Sequence, residues 1–416
     1  MKKKKMNITL AIALGLVLGI IVGLIMPAWL FTPLSVVSSI YMSALKMMIF
    51  PLVFCSLITG IMGIGSVAST GKIGLHSLLW YIGTTAFASF LGLILPNLLG
   101  LGKGTMIAMV ETDTEAAQFS GLLDTLKTLI PSNPVTSFSE GNMLQVLVFA
   151  IIIGLACLAI GEKAAPFVEV CKSVNDISIF IIGKVMLFTP IGVFCSIAAV
   201  MYTNGTETMI ELAAVMIALY VTYALYAFVV YGGMVKFIGK YPTLKFFKNI
   251  SPAALNAFGT CSSSATIPIS MKCAEEEIGV PNEITSLTLP LGATINMDAV
   301  SILMSFMITF FGNACGVPIS TNLMIVVLLS NVLLSIGTPG VPGGAIAAFA
   351  ALASIAGLPS GVMGVYISVN TLADMGATCV NVMGDLACST VLKRTLHLGE
   401  DETAPESNTV AADSSY

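Results

Sequence analysis

Helix-length apolar runs recur from one end of this chain to the other, and that pattern confines it to a helical fold in a membrane. Such runs fall near residues 8–31, 34–64, 74–101, 141–160, 176–202, 209–238, 284–312 and 360–392. Runs of this size are long enough to cross a hydrocarbon core of about 30 Å at about 1.5 Å per residue. Of 416 residues, 56% are apolar and 10% charged, which is too apolar for a soluble globule. An outer-membrane barrel would instead alternate polar and apolar residues over segments of about ten. The expectation is an all-α polytopic membrane protein with eight transmembrane helices.

Two further stretches are apolar yet cannot be simple spans. Residues 251–275 (SPAALNAFGTCSSSATIPISMKCAE) are interrupted by Gly259, a polar run and Pro268. Residues 321–358 are broken at their middle by SIGTPGVPGG, Ser335 to Gly344. Proline and glycine break a helix, and the freed backbone groups would go unsatisfied in lipid. Each stretch therefore reads as a re-entrant hairpin of two half-helices with its tip buried in protein. Broken segments at corresponding places in two halves of a chain point to inverted repeats around a binding site.

Lys2 to Lys5 precede the first run, and Lys393 and Arg394 follow the last. By the positive-inside rule both termini are cytoplasmic, so the number of spans is even. The first run is too long for the core of a secretory signal and reads as a retained helix. Residues 103–140 read as an exposed linker followed by a shorter helix ending before Pro131; the acidic tail after Glu400 reads as disordered. The sequons at Asn7 and Asn204 read as chance matches. Nine cysteines lack metal-ligand spacing and read as small buried side chains. No motif for nucleotide, zinc or nucleic acid is present.

Three polar clusters carry the chemistry. Asp374, Thr378, Asn381 and Asp385 stand at i, i+4, i+7 and i+11 of an apolar helix. At about 100° per residue they fall within a stripe of roughly 60°. Carboxylates at membrane depth are costly and persist where they face a cavity, an ion path or a substrate. In PLGATINMDAVS, Asn296 and Asp298 interrupt another apolar helix just after Gly292 and Thr294. Asp298 has no basic neighbour in sequence, which suits a carboxylate balanced by a bound cation or one that carries a proton. Carbonyls of an unwound helix, with Asp, Asn and Thr side chains, offer the oxygens that hard cations prefer. Ser262, Ser263 and Ser264 open a half-helix at the first hairpin tip, where N–H groups and hydroxyls suit an anionic group.

SSSATIP, LPLGATINMD, SIGTPGVPGG and DMGATCVNVMGD, in this order and spacing, resemble the signatures of the dicarboxylate/amino acid:cation symporter family. That family includes the glutamate transporters, and the resemblance spans roughly residues 8–395. It implies a homotrimer in the plasma (inner) membrane, contacting lipid, and an elevator mechanism. Residues 1–70 and 104–205 would form the scaffold. Residues 71–103 and 206–395, including both hairpins, would form the transport domain, with 396–416 a tail. Asp374 would take a substrate ammonium, with Thr378 and Asn381 beside it. Ser264, Gly340 and Val341 would hold the substrate α-carboxylate. Two to three Na⁺ ions would bind, with no organic cofactor. One would sit with Gly292, Asn296, Asn381 and Asp385. A second would use Thr294, Met297, Ser335, Ile336 and Thr338, and a third Tyr81, Thr84, Thr85, Asn296 and Asp298.

The chain departs from the family at the substrate side chain. Members that take acidic substrates have an arginine three residues after the motif aspartate, where this chain has Ala377. Gly376 and Cys261 occupy the alternative arginine positions, and Val300 stands where a threonine is common. The one arginine, Arg394, would lie roughly 25 Å along the helix from Ala377. An unpaired buried carboxylate is expensive, and arginine binds one bidentately as no other side chain does. The expected cargo is thus a neutral amino acid, first alanine, serine, threonine or cysteine; the alternative is an acidic amino acid or C4-dicarboxylate.

Other classes fit less well. An intramembrane aspartyl protease needs Gly-x-Gly-Asp, whereas Asp385 follows Val382-Met383-Gly384. A serine hydrolase needs a histidine near its serine, and His76 and His397 are remote from the serine run in sequence. A cation channel would line a common axis with rings of carboxylates, which asymmetric hairpins do not supply.

Overall fold

The computed structural model describes residues 8–68, 72–103, 130–204, 207–317, 319–338, 340 and 343–396. Lys2–Lys5, the sequence 104–129 of the expected linker, the tail beyond Leu396 and Val341 of the second tip lie outside these residues.

All regular structure among the described residues is helical. The helices are α1 (Ile8–Ile25), α2 (Ala28–Lys46), α3 (Ile49–Ala68), α4 (Lys72–Leu98), α5 (Pro134–Ser139) and α6 (Met143–Ile160). Then follow α7 (Ala165–Val185), α8 (Thr189–Asn204), α9 (Glu207–Leu225), a π-helical turn (Tyr226–Tyr231) and α10 (Gly232–Phe237). The remainder comprises α11 (Thr243–Thr260), α12 (Ser263–Lys272), α13 (Asn282–Ile295), α14 (Asp298–Ala314), α15 (Thr321–Ile336), α16 (Gly344–Ile355) and α17 (Val362–Thr395).

Five helical stretches among the described residues are long and apolar enough to cross a membrane: Lys72–Leu98, Met143–Thr203, Ile210–Phe237, Asn282–Ala314 and Val362–Thr395. Met143–Thr203 is 61 residues long, and shorter apolar helices lie at Leu14–Ile25, Ala28–Tyr41 and Ile49–Gly63, within the first two of the eight expected runs. The first two apolar runs divide into three helices, because the chain breaks at Met26–Pro27 and again at Met47–Met48, ahead of Pro51 in the first turn of α3. The run at 176–202 divides at a short 3₁₀ turn, Met186–Phe188, just before Pro190. Hydropathy alone does not see these breaks, since the residues around each proline remain apolar.

The first broken stretch breaks at the serine run, beside the expected tip, and not at Gly259 or Pro268. Helix α11 runs through Gly259, and α12 runs through Pro268; the reversal is made by Cys261, which is left-handed at φ 50°. Ser262 then caps α12, its hydroxyl accepting from the Ala265 N–H at 3.2 Å. The second stretch breaks within Ser335–Gly344 as expected: α15 ends at Ile336 and α16 begins at Gly344.

Helix α14 is the centre of the molecule, buried along its length except at Asn313. It lies between α4 and α17. Close approach of α4 rests on Gly92, where a Cβ would fall 2.7 Å from the Ile302 carbonyl. Gly19 and Gly23 do the same for α1 against α8, with Cβ positions 2.8 Å and 2.6 Å from the Phe194 and Ala198 carbonyls. Leu14, Val17, Leu18 and Ile21 of α1 and Ile217, Val221 and Phe228 near α9 are exposed, as a lipid-facing surface requires.

Candidate functional site

The apolar sequence DAVSILMSF starts a helix only at Asp298, because α13 stops at Ile295. Asn296 is extended (φ −79°, ψ 90°) and Met297 is also non-helical (φ −118°, ψ 40°). This unwound pair sits against the polar stripe of α17, which stays helical from Val362 to Thr395. Asp374, Thr378, Asn381 and Asp385 are all buried on it.

Asparagine side chains hold the unwound segment in place. The Asn296 amide donates to the Asn381 carbonyl at 3.0 Å and to Asp385 Oδ1 at 2.7 Å. Asn381 Oδ1 accepts from the Ala299 N–H at 2.8 Å, supplying from across the interface the N-terminal cap that Met297 cannot give α14. Gly292, one turn before the break, lets Asp385 approach: a Cβ there would collide with the Asp385 carboxylate and lie 2.8 Å from the Tyr81 hydroxyl. Tyr81 itself donates to the Thr288 carbonyl at 3.0 Å.

Asp298 lies on the far side of the same break. Its Oδ1 accepts from Thr85 Oγ1 at 2.6 Å, and its Oδ2 from the Tyr231 and Tyr226 hydroxyls at 2.7 Å and 3.0 Å. Thr84 turns its hydroxyl to the Trp80 carbonyl at 3.0 Å, while its own carbonyl accepts from Tyr226 at 2.8 Å. The three aspartates 298, 374 and 385 are the only charged side chains among the buried described residues. Buried charge without a partner is unfavourable by several kcal/mol or more, on the order expected for an uncompensated ion.

A hard cation fits this arrangement. Asn296 Oδ1 is buried and accepts no hydrogen bond from a described residue, so one amide oxygen is left over beside two carboxylates. Asn296, Asp385, Asp298 and the carbonyls at the unwound turn would hold such an ion, with Gly292 leaving the room that a side chain would fill. The ion would supply the positive charge that no buried basic residue provides.

The second group of residues is nearer the hairpin tips. Thr378 donates to Asp374 Oδ1 at 3.3 Å. Ser262 Oγ donates to the Gly340 carbonyl at 3.1 Å, and Ser264 N–H approaches the same oxygen at 3.5 Å, so the two tips touch. Gly340 is also constrained from the other side, since a Cβ would collide with the Ala293 carbonyl beside the unwound segment. Ser263, Ala377 and Val300 are buried, and Ser264 is exposed.

Most of the residues singled out in the sequence meet here. Gly292, Asn296, Asn381 and Asp385 form one cluster, and Thr85 joins Asp298. The Tyr81 hydroxyl stands beside Gly292. The hydroxyls of Thr294, Ser335 and Thr338 each turn back onto their own helices, bonding Leu291, Val332 and Leu334 carbonyls. Met297 is buried and its sulfur faces the Asn381 amide at 3.5 Å, while Ile336 packs against Gly60. Tyr226 and Tyr231 escaped the sequence reading: five residues apart, they share no face of an α-helix and form no visible stripe.

A family model described as the sodium:dicarboxylate symporter family matches residues 8–395. The chain belongs to that family. Three relatives show the range within the family. The chain is 28% identical over 371 residues to the proton/sodium-glutamate symport protein of Geobacillus stearothermophilus, covering 87% of this chain and 88% of that one. It is 30% identical over 372 residues to the proton/sodium-glutamate symport protein of Bacillus subtilis, covering 87% and 86%. It is 28% identical over 365 residues to C4-dicarboxylate transport protein 1 of Pseudomonas aeruginosa strain PAO1, covering 85% and 80%. This symporter-family chain is therefore a multi-pass membrane transporter and not an enzyme.

Proposed function

We propose that the protein is a sodium- or proton-coupled symporter that carries an acidic organic substrate, in the way its relatives' names describe. The observation that carries this is the cluster of three buried aspartates, two of them meeting Asn296 or Thr85 at an unwound helix with no buried basic residue among the described ones. Such carboxylates call for mobile cations, and a carrier that moves cations with its substrate supplies them. The neutral-amino-acid expectation draws no support from relatives named for glutamate and C4-dicarboxylates. Between those two substrates, Asp374 favours the amino acid, since a dicarboxylate has no ammonium to meet it.

One observation favours a neutral amino acid as a second reading. Ala377 and Val300 are 0% and 3% exposed, and in this reading neither offers the donors that a side-chain carboxylate would need. Uptake into proteoliposomes under a sodium gradient decides between them. The first reading expects unlabelled glutamate or aspartate to compete for uptake better than alanine or serine by about tenfold or more, one good charged hydrogen bond. Competition in the opposite order discards it in favour of the second.

Ala377→Arg tests the same wall from the other direction. A guanidinium there would bind a side-chain carboxylate bidentately, so acidic substrates should gain about tenfold in apparent affinity over neutral ones. A folded variant with unchanged preference would remove Ala377 from the substrate pocket.

We further propose the trimeric elevator arrangement. It is supported by the division of packing: α1 lies chiefly on α8 and α3 on α6 and α7, whereas α4, α11 and α13 gather with α14 and α17. In this reading α11–α12 and α15–α16 are the two re-entrant hairpins, and the touching tips at Ser262 and Gly340 close the site.

A further inference from the structure

The helix that follows α9 does something its sequence does not announce. Over Tyr226–Tyr231 it opens into a π-helical turn before resuming as α10. In an α-helix, residues five apart diverge by roughly 140°, so two tyrosines at this spacing cannot reach one atom. A π turn bonds residue i to i+5 and brings such a pair onto one face. Here both phenols arrive at a single oxygen, Asp298 Oδ2, with their rings edge-on at 5.2 Å and 85°. Room for the second comes from Gly384 of α17, where a Cβ would lie 2.5 Å from the Tyr231 hydroxyl.

The lone pairs of Asp298 can be counted. A carboxylate offers about four acceptor positions, two on each oxygen. Tyr226 and Tyr231 point at Oδ2, and Thr85 takes one position on Oδ1 at 2.6 Å. The remaining position is on Oδ1, the oxygen turned toward α4, where the Thr84 hydroxyl also lies close. The two phenols are not equivalent. Tyr231 has Asp298 as its acceptor, while Tyr226 has one proton and two acceptors, the Thr84 carbonyl at 2.8 Å and Asp298 at 3.0 Å.

We propose that Tyr226 and Tyr231 are positioning residues that occupy Oδ2 of Asp298 and turn Oδ1 toward the α4 hydroxyls to receive the coupling cation. The phenols touch the carboxylate and not the ion, so they act on its geometry and on how many of its oxygens are available. This rests on the cation-coupled reading above. Groups that orient a metal-binding side chain are worth about 10–100-fold in affinity when removed. The unequal bonding sets an order: Tyr231 matters more than Tyr226.

The test is a sodium titration of the purified full-length protein, followed by thermal stability and by tryptophan fluorescence, since Trp80 adjoins Tyr81 in α4. Tyr231→Phe should raise the sodium concentration at half-response by about tenfold or more, and Tyr226→Phe by less, with substrate binding at saturating sodium retained. Tyr41→Phe is the control, because Tyr41 is a buried tyrosine whose hydroxyl pairs with Thr189 at 2.8 Å and with none of the aspartates. It should lower stability without moving the sodium midpoint. A folded Tyr231→Phe whose midpoint matches that of Tyr41→Phe overturns the inference. If Tyr231→Phe yields no monodisperse protein, Tyr226→Phe decides alone: a raised midpoint supports the inference and an unmoved one ends it. A wild-type protein with no sodium response at all overturns sodium coupling together with the inference, whereas a responsive wild type with unmoved variants overturns the inference only.

Discussion

Gly292→Ala is expected to abolish sodium-dependent uptake, although it adds a single methyl group to a transmembrane helix. In most helices that exchange is favourable by up to about 1 kcal/mol, because alanine is the better helix former. Here the methyl would meet the Asp385 carboxylate directly and lie 2.8 Å from the Tyr81 hydroxyl. Neither neighbour can retreat freely. Asp385 is held by Asn296 at 2.7 Å on a helix buried over most of its length, and Tyr81 is 0% exposed and bonded to Thr288. Overpacking of this kind costs about 1–3 kcal/mol in stability. The larger effect is on the ion, since Asp385 and Asn296 would be pushed apart. Uptake should fall by about a hundredfold or more, and the sodium midpoint should rise with it. A folded alanine variant that transports normally would mean that Asp385 does not face a cation across Gly292.

Asp374→Asn is expected to be as damaging to uptake but to leave the sodium response largely in place. Asp374 is eleven residues from Asp385 on the same unbroken helix, about 16 Å along its axis, and its carboxylate accepts from Thr378. Replacing the carboxylate by an amide removes the only negative charge available to a substrate ammonium at that level of α17. Loss of a charge-assisted hydrogen bond of about 3 kcal/mol corresponds to roughly a hundredfold in affinity. The variant also separates the candidate substrates. An amino acid should lose nearly all uptake, whereas a dicarboxylate, relieved of a like charge, should be carried as well as before or better. Parallel uptake of labelled glutamate and succinate by the variant reads out the difference.

Much of the site was legible because helical periodicity is a strong constraint. Four polar residues at i, i+4, i+7 and i+11 can share a face only if the helix is unbroken, and α17 is unbroken. The interruption at Asn296 was legible for a related reason, since a polar pair inside an apolar helix has to be solvated by something. The tip of the first hairpin was legible in the serine run, but Gly259 and Pro268 were read as helix interruptions. Both are accommodated within helices, and the left-handed residue is Cys261, a residue with no special preference for that conformation. The breaks near Pro27 and Pro190 were not legible, because hydropathy averages across them while the backbone changes course there.

What the linear order of residues determined by itself is the class of molecule, the membrane setting and the identity of the groups that carry charge. These follow from local quantities, namely how apolar a segment is and which side chains recur on one face. Only the tertiary structure decided which groups face each other. Tyr226 and Tyr231 reach Asp298 across 72 and 67 residues of chain, and Thr85 reaches it across 213. The π turn and the gaps at Gly292 and Gly384 make those meetings possible, and their worth depends on what packs opposite them. Periodicity describes one helix at a time, whereas a site built at the contact of four helices depends on distances between them.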